Sequence, residues 1–399
     1  MPKIAARVSQ LNGEGALAVF ARAKELEKEG RSIIHLELGE PDFHAAAPVV
    51  DRLRAAVAEG RDRYVAPRGI APLREAIAAY LGRTRRLEVR ADEVLVAPGC
   101  KMALSLAMMA LVESGDEVLH ADPSFPIYPS LTRALGGTAV PYALREENRF
   151  QPDLQEIARK ITPKTRMLIF NSPNNPTGTV FSEEALGGIA ALARKHDLWV
   201  IADEIYARIL FGGEYRSIRA LPGMAERTVI IDGFSKSFAM TGWRLGYAVA
   251  AKQVLDALDL LVVNTFTCAA EFTQLAAIAA LDDRGGAVAA MVEQYRRRRD
   301  FFVEQLNKIP GFRCQLPEGA FYVWVNIAET GKSAEEVQKI LLEEVGVAAI
   351  AGAAFGAEGK NFMRFSLVSA TRLLEDALDR IERATMHWRA AVLRSANAR

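Results

Sequence analysis

Short, unbroken apolar runs recur along this chain with helix-length segments between them, and that alternation limits the fold more than any other property. The first, "VLVAP" at 94–98, leads straight into the helical pattern "GCKMALSLAMMALV". Further runs stand at 117–120 ("EVLH"), 166–170 ("RMLIF"), 198–203 ("LWVIAD"), 228–234 ("TVIIDGF") and 245–250 ("LGYAVA"), most of them separated by segments such as "SEEALGGIAALARKH". A strand that is apolar on both faces must be covered on both, and helices between successive strands supply the crossovers that parallel pairing needs. The prediction is an α/β fold with a mostly parallel sheet flanked by helices. From about residue 287 the pattern changes to a long charged amphipathic helix, "AVAAMVEQYRRRRDFFVEQLNKI", then to alternating strands at "AFYVWVNI" and "FMRFSLV" and a closing helix. This predicts a smaller α+β domain. The expected division is a large domain over 46–286 and a small one built from 1–45 and 287–399. The RRRR run at 296–299 reads as the solvated face of its helix.

A chain of 399 residues is long enough for two cores. With 25% charged residues but a net charge of only +1, it offers no polyanion-binding surface, and nucleic acid is not an expected partner. Cys100, Cys268 and Cys314 are widely spaced, with no CxxC pair, which argues against a disulfide framework and against a bound metal. No signal-peptide core opens the sequence and no run of 18 apolar residues occurs, so the expectation is a cytoplasmic protein without membrane contact.

Open parallel sheets bind ligands at the carboxyl ends of their strands. Four groups of polar residues stand there. Gly99-Cys100-Lys101 opens a helix, where backbone N–H groups and the helix dipole suit a phosphate. "NSPNNPTG" (171–178) follows one apolar run, and Asp203, Glu204 and Tyr206 follow the next. Ser235 and Lys236 follow "TVIIDGF". Singly these are an ordinary βα turn, a plain loop, and a carboxylate and a lysine that could pair with neighbours. Together they offer a phosphate cradle, a carboxylate, a phenol, an amide and an amine. Those are the requirements of pyridoxal 5'-phosphate: donors for the phosphate, a carboxylate for the protonated ring nitrogen, donors for the ring oxygen and an amine for the aldehyde.

The segments "LELGEPDF" (36–43), "RYVAPRGIAPLREAIAAY" (63–80), "NSPNNPTG", "ADEIYARILF" (202–211), "FSKSFAMTGWRLGY" (234–247) and "RFSLVSAT" (364–371) resemble the fold-type-I pyridoxal-phosphate aminotransferases of class I/II, aspartate-aminotransferase-like branch. The resemblance runs from about residue 10 to about 390. It implies a large cofactor-binding domain, transfer of an amino group from an L-amino acid to a 2-oxo acid, and ping-pong exchange at a single site. By that likeness Lys236 forms the internal aldimine and then carries the proton between substrate Cα and the cofactor. Asp203 pairs with the ring N–H⁺, and Tyr206 and Asn175 bond the ring oxygen. The phosphate rests on Gly99, Cys100 and Lys101 with Ser235 and Arg244, and Phe125 stacks on the ring. Arg364 clamps the substrate α-carboxylate as a bidentate fork, with Gly39 and Asn175 beside it. Tyr64 reaches the phosphate of a neighbouring subunit, which implies a homodimer with shared active sites.

Rival readings fare less well. "GEGALA" (13–18) matches a dinucleotide fingerprint, but no buried strand precedes it. "GFSKS" lacks the last glycine of a nucleophile elbow, and only His387 follows it as a base. An aminotransferase-like effector domain of a transcription factor would need a DNA-binding segment that the sequence does not carry. A C–S β-lyase shares nearly every cofactor residue and stays as the alternative. Lys101 matches a lysine that meets the distal carboxylate of an acidic substrate and so favours aspartate or glutamate. Phe125 and Ala16 replace a tryptophan and a threonine of those relatives, which leaves aromatic, branched or small neutral donors open.

Overall fold

The computed structural model describes residues 2–11, 13, 15–282 and 286–397; Asn12 and Glu14 in the N-terminal stretch and the side chain of His387 lie outside the described residues. A short strand β1 (Ile34–His35) precedes the main sheet. That sheet holds β2 (Val94–Ala97), β3 (Glu117–Asp122), β4 (Thr138–Ala143), β5 (Thr165–Asn171), β6 (Trp199–Asp203), β7 (Thr228–Gly233) and β8 (Gly246–Val249). Its order is β2-β8-β7-β6-β5-β3-β4. Helices α1 (Gly15–Lys28), α2 (Ala47–Ala58), α3 (Ala71–Arg85), α4 (Cys100–Leu111), α5 (Ile127–Ala134), α6 (Leu154–Lys160) and α7 (Glu183–Lys195) precede the strands of this sheet or connect them, and α8 (Lys252–Thr265) and α9 (Glu271–Leu281) follow β8.

The apolar runs are buried on both faces, and alternate residues of each strand go to opposite cores. Leu95, Ile169, Ile201, Val229 and Ile231 pack with α4 and α8. Val94, Val96, Ile230 and Val249 pack with α3 and α9, while Leu168, Phe170, Val200 and Ala202 pack with α7. Helix α7 shows why such segments are helical: Ser182 caps it by accepting the Ala185 N–H at 3.1 Å, Glu183 and Glu184 start it and Arg194 and Lys195 end it, in the sense that suits the dipole.

Two features of the sheet depart from the sequence reading. β8, from the run "LGYAVA", is antiparallel to both its neighbours, β2 and β7. β4, missed by the apolar pattern, is an edge strand with exposed positions and Pro141 inside it; an edge tolerates both, because its outer N–H groups need no partner in the sheet.

Beyond the main sheet, β9 (Arg313–Cys314), β10 (Tyr322–Asn326), β12 (Ile350–Ala351) and β13 (Phe362–Ser366) form an antiparallel sheet, and β11 (Val347–Ala348) pairs with β1. Helices α10 (Gly286–Leu306), α11 (Ala334–Glu343) and α12 (Thr371–Asn397) share a core with it, built on Phe302, Phe321, Val337, Phe365 and Leu374. The expectation of a solvated RRRR face holds for only half of the run. Arg296 and Arg297 pair with Glu293 at the surface, but Arg298 and Arg299 are buried. Arg298 donates to Asp42 at 2.8 Å and to the Leu367 carbonyl at 3.0 Å; Arg299 lies over the Phe211 ring at 4.5 Å and donates to the Pro317 carbonyl. Four consecutive helical residues span more than one turn, so they cannot share one face. The three cysteines are free, and no helix among the described residues is long and apolar enough to cross a membrane.

Candidate active site

Strands β5, β6 and β7 run parallel and end together, with Asn171 opposite Asp203 and Asp203 opposite Ile231. The chain leaves β7 through Phe234 and Ser235 to Lys236. A cavity of about 320 Å³ opens at this edge. It brings together Gly39, Cys100, Lys101, Phe125, Asn175, Asp203, Tyr206, Ser235, Lys236, Arg244 and Arg364, with Ala16 at its rim. Gly99 stands directly behind it, at the N-cap of α4. Tyr64 is not among the lining residues and is 87% exposed. A larger cleft of about 750 Å³ lies elsewhere, but it contains none of the predicted residues, and Arg86–Glu214, Arg216–Glu183 and Arg296–Glu293 pair with one another around it. The predicted residues gather at the smaller cavity.

Asp203 is buried at the end of β6, where it accepts the Tyr128 hydroxyl at 2.7 Å and the Ile205 N–H at 3.3 Å. Burial pushes its carboxyl up to about 6 despite these donors, and the negative charge of nearby Asp232 adds to the rise. A cation facing it would hold it ionised. Lys236 donates to the Gly39 carbonyl. Low-dielectric surroundings bring its amine down to about 8, with the Arg364 and Arg244 charges lowering it further against Cys100 and Glu40. At pH 8 about half of such an amine is neutral and nucleophilic, compared with well under about 1% for an ordinary lysine.

The Tyr206 hydroxyl lies 2.9 Å from that of Tyr322, and burial keeps it a phenol by raising its pKa well above the usual value. Asn175 gives its N–H to Asn171 Oδ1 at 2.8 Å, and its own Oδ1 accepts from Arg364 at 3.1 Å. Buried Arg364 also donates to the Glu37 carbonyl and sits between the rings of Tyr322 and Phe355, 4.5 and 4.9 Å from their centres. Two aromatic faces fix the plane of a guanidinium and keep water from it, leaving its N–H fork turned toward the cavity edge.

In α4 the Met102 and Ala103 N–H groups donate to the Gly99 carbonyl, and the N–H groups of Cys100 and Lys101 stand ahead of them at the positive end of the helix. Gly99 turns into that helix with φ +89°, and a Cβ there would run into the Arg244 guanidinium. Arg244 itself adopts a left-handed backbone (φ +51°) and is steadied by donating to the Thr241 carbonyl at 2.8 Å. These residues fit pyridoxal phosphate: the α4 N-terminus, Ser235 and Arg244 could hold the phosphate, Asp203 the ring N–H⁺, Tyr206 and Asn175 the ring oxygen, and Lys236 the aldehyde.

Tyr322, Tyr128 and Asn171 escaped the sequence reading. Tyr322 and Tyr128 are aromatics within an apolar run and a proline-rich turn, "AFYVWVNI" and "DPSFPIYP", where a hydroxyl carries no separate signal. Asn171, which donates to the Asp203 carbonyl at 2.8 Å, opens "NSPNNPTG", a loop whose asparagines could not be ranked without their partners.

Residues 31–381 match the family described as aminotransferase class I and II. The chain is 36% identical to an aspartate aminotransferase of Musicola paradisiaca, over 100% of each chain. It is 38% identical to an arginine–pyruvate transaminase of Pseudomonas aeruginosa, over 93% of this chain and 95% of the relative. Its structure superposes on that of Thermus thermophilus aspartate aminotransferase with maleate at a TM-score of 0.92 and 36% identity, covering 96% and 100% of the two chains. Motifs, sheet order and full-length similarity lead to one conclusion: the chain belongs to the class I and II aminotransferases of fold type I, and it is an enzyme that transfers amino groups.

Proposed function

We propose that the protein carries pyridoxal 5'-phosphate on Lys236 and exchanges the amino group of an L-amino acid with a 2-oxo acid in ping-pong fashion. One observation carries the reading: an amine of lowered basicity, a buried carboxylate and a buried, ring-clamped guanidinium line one cavity. When bound, the cofactor supplies an aldehyde that takes up the amino group and a protonated ring that draws electrons from Cα. Asp203 keeps the ring nitrogen protonated. Tyr206 and Asn175 donate to the ring oxygen, and Phe125 covers a ring face. The N–H groups of Cys100 and Lys101, the Ser235 hydroxyl and Arg244 hold the phosphate. Lys236 Nζ takes the proton from substrate Cα and returns it on the product side. Arg364, assisted by Gly39 and Asn175, orients the α-carboxylate so that the Cα–H bond faces that amine.

The active form is a homodimer in the cytoplasm in which Tyr64 completes the partner's phosphate site. Its exposure, together with exposed Leu260 and Val263 on α8, suits a surface covered by a second copy. Residues 46–286 act as the large cofactor-bearing unit, and residues 1–45 and 287–399 as the small one. Lys101 in the cavity wall favours aspartate and glutamate as donors, in line with the Musicola and Thermus enzymes' names. Ala16, Leu17, Leu38, Leu104 and Phe125 line the same cavity and favour a neutral or aromatic donor as the second reading. A single-turnover panel of amino donors, followed by loss of the cofactor's absorbance band, decides between them. Parallel initial-rate plots are expected; pyruvate and ammonia released from a cysteine-type substrate without a 2-oxo acid would establish the lyase instead.

A further inference from the structure

Arg85, the last residue of α3, is buried among charges that the amino-transfer chemistry does not use. Its two Nη atoms donate to the carboxylates of Glu204 and Asp232. Glu204 directly follows Asp203, and Asp232 precedes Ser235 and Lys236 by three and four positions. Both carboxylates are fixed further: Ser217 donates to Glu204 at 2.5 Å, while the Tyr247 hydroxyl and the Gly233 N–H donate to Asp232 at 2.8 and 2.6 Å. The Tyr215 ring covers the guanidinium at 5.5 Å, and Tyr80, with Arg208 over its ring, flanks the group. The residue just past β6 and the end of β7 are thereby tied through one side chain from outside the sheet. Burial raises the Glu204 pKa, but Arg85 and the Ser217 hydroxyl oppose the rise; with both carboxylates ionised, the triad carries one buried negative charge behind the cavity, and half-buried Arg208 stands beyond it over Tyr80. Packing alone does not require this, since apolar side chains of similar size stabilise a core at least as well as a buried ion triad.

We propose that Arg85 is a positioning residue that braces Asp203 against the Ser235–Lys236 segment, and that the net negative charge of its triad with Glu204 and Asp232 favours the cationic form of a pyridoxal group bound in front of it; this rests on the cofactor reading of the site. Consistent with it, Asp203 and Cys100 are both raised first by burial and further by the charge of Asp232, so that charge reaches the cavity wall.

The test uses purified holoenzyme and reads the pH titration of the bound cofactor's absorbance, cofactor dissociation and the thermal midpoint. Asp232→Asn and Glu204→Gln, which each remove one negative charge but keep hydrogen-bonding atoms, are expected to lower the titration midpoint by about one pH unit, the order one charge exerts across roughly 10 Å at an effective dielectric near 20. Arg85→Lys keeps the charge but loses the fork; it is expected to leave the midpoint in place while cofactor dissociates several-fold faster. A band that titrates alike in all variants, whatever their thermal midpoints, or a midpoint that moves as far in Arg85→Lys, overturns the proposal. Absence of any bound-cofactor band in the unmodified protein overturns the cofactor reading and the proposal with it.

Discussion

Single side chains in this cavity are set by what burial does to their protons. Lys236 is held down to about 8, so its reactive form gains as pH rises. Capture of pyridoxal phosphate by cofactor-free protein should therefore accelerate with pH and level off above about 8. Borohydride should then fix the cofactor to Lys236, and Lys236→Ala should show neither effect. Asp203 works in the opposite sense. Its folded value of about 6 lies above the 3.8 of an ordinary aspartate, so without a cation the folded state binds the extra proton between those values. Stability from this group is full below about pH 4 and is lost as pH rises through 6. The cofactor-free protein should lose thermal stability over that window, and Asp203→Asn should flatten the loss. The two cationic residues for substrate should separate by donor. Arg364→Ala should depress kcat/KM for every amino acid alike, on the order of 2–5 kcal/mol in transition-state terms. Lys101→Ala should penalise aspartate and glutamate far more than alanine or phenylalanine; a uniform loss would instead assign Lys101 to the cofactor alone.

At the scale of elements, the proposed phosphate cradle depends on how α4 begins. Gly99 satisfies two demands at once, a positive φ and the absence of a Cβ against Arg244. Gly99→Ala should weaken cofactor retention by about tenfold or more, from backbone strain of about 1 kcal/mol together with displacement of a charged phosphate donor. Equilibrium dialysis with pyridoxal phosphate measures it. The strands carrying the cavity were legible because two-sided burial writes itself as unbroken Val, Ile, Leu and Ala, and the polar residues after each run stood out by contrast. Strand direction left no such trace. β8 is as apolar as the parallel strands, and it runs back because the connection from β7 through Lys236 holds only a short helical turn, Thr241–Trp243, in place of a crossover helix. β4 was hidden by Pro141, and Tyr322 and Tyr128 by the apolar company they keep. A hydroxyl's partner is a tertiary fact: Tyr206 lies 116 positions from Tyr322, and Asp203 lies 75 from Tyr128.

For the whole molecule, the site draws on segments from residue 16 to residue 364, so its assembly reports on the complete fold. A shared dimer site can be tested by exchange. Tyr64→Ala and Lys236→Ala chains, each inactive alone, should regain part of the activity after mixing and verified subunit exchange, because one site in each mixed dimer keeps both groups. No recovery would count against sharing. The buried half of the arginine run bears on protein engineering in a way its sequence conceals. Arg298 links α10 to Asp42, three positions from the Gly39 carbonyl that receives Lys236 and five from the Glu37 carbonyl that receives Arg364. Trimming surface charge from "RRRR" for solubility or crystallisation is therefore two different operations: Arg296→Gln and Arg297→Gln cost only exposed ion pairs, whereas Arg298→Gln loosens the segment to which both Lys236 and Arg364 donate and should appear first as poorer amino-donor affinity.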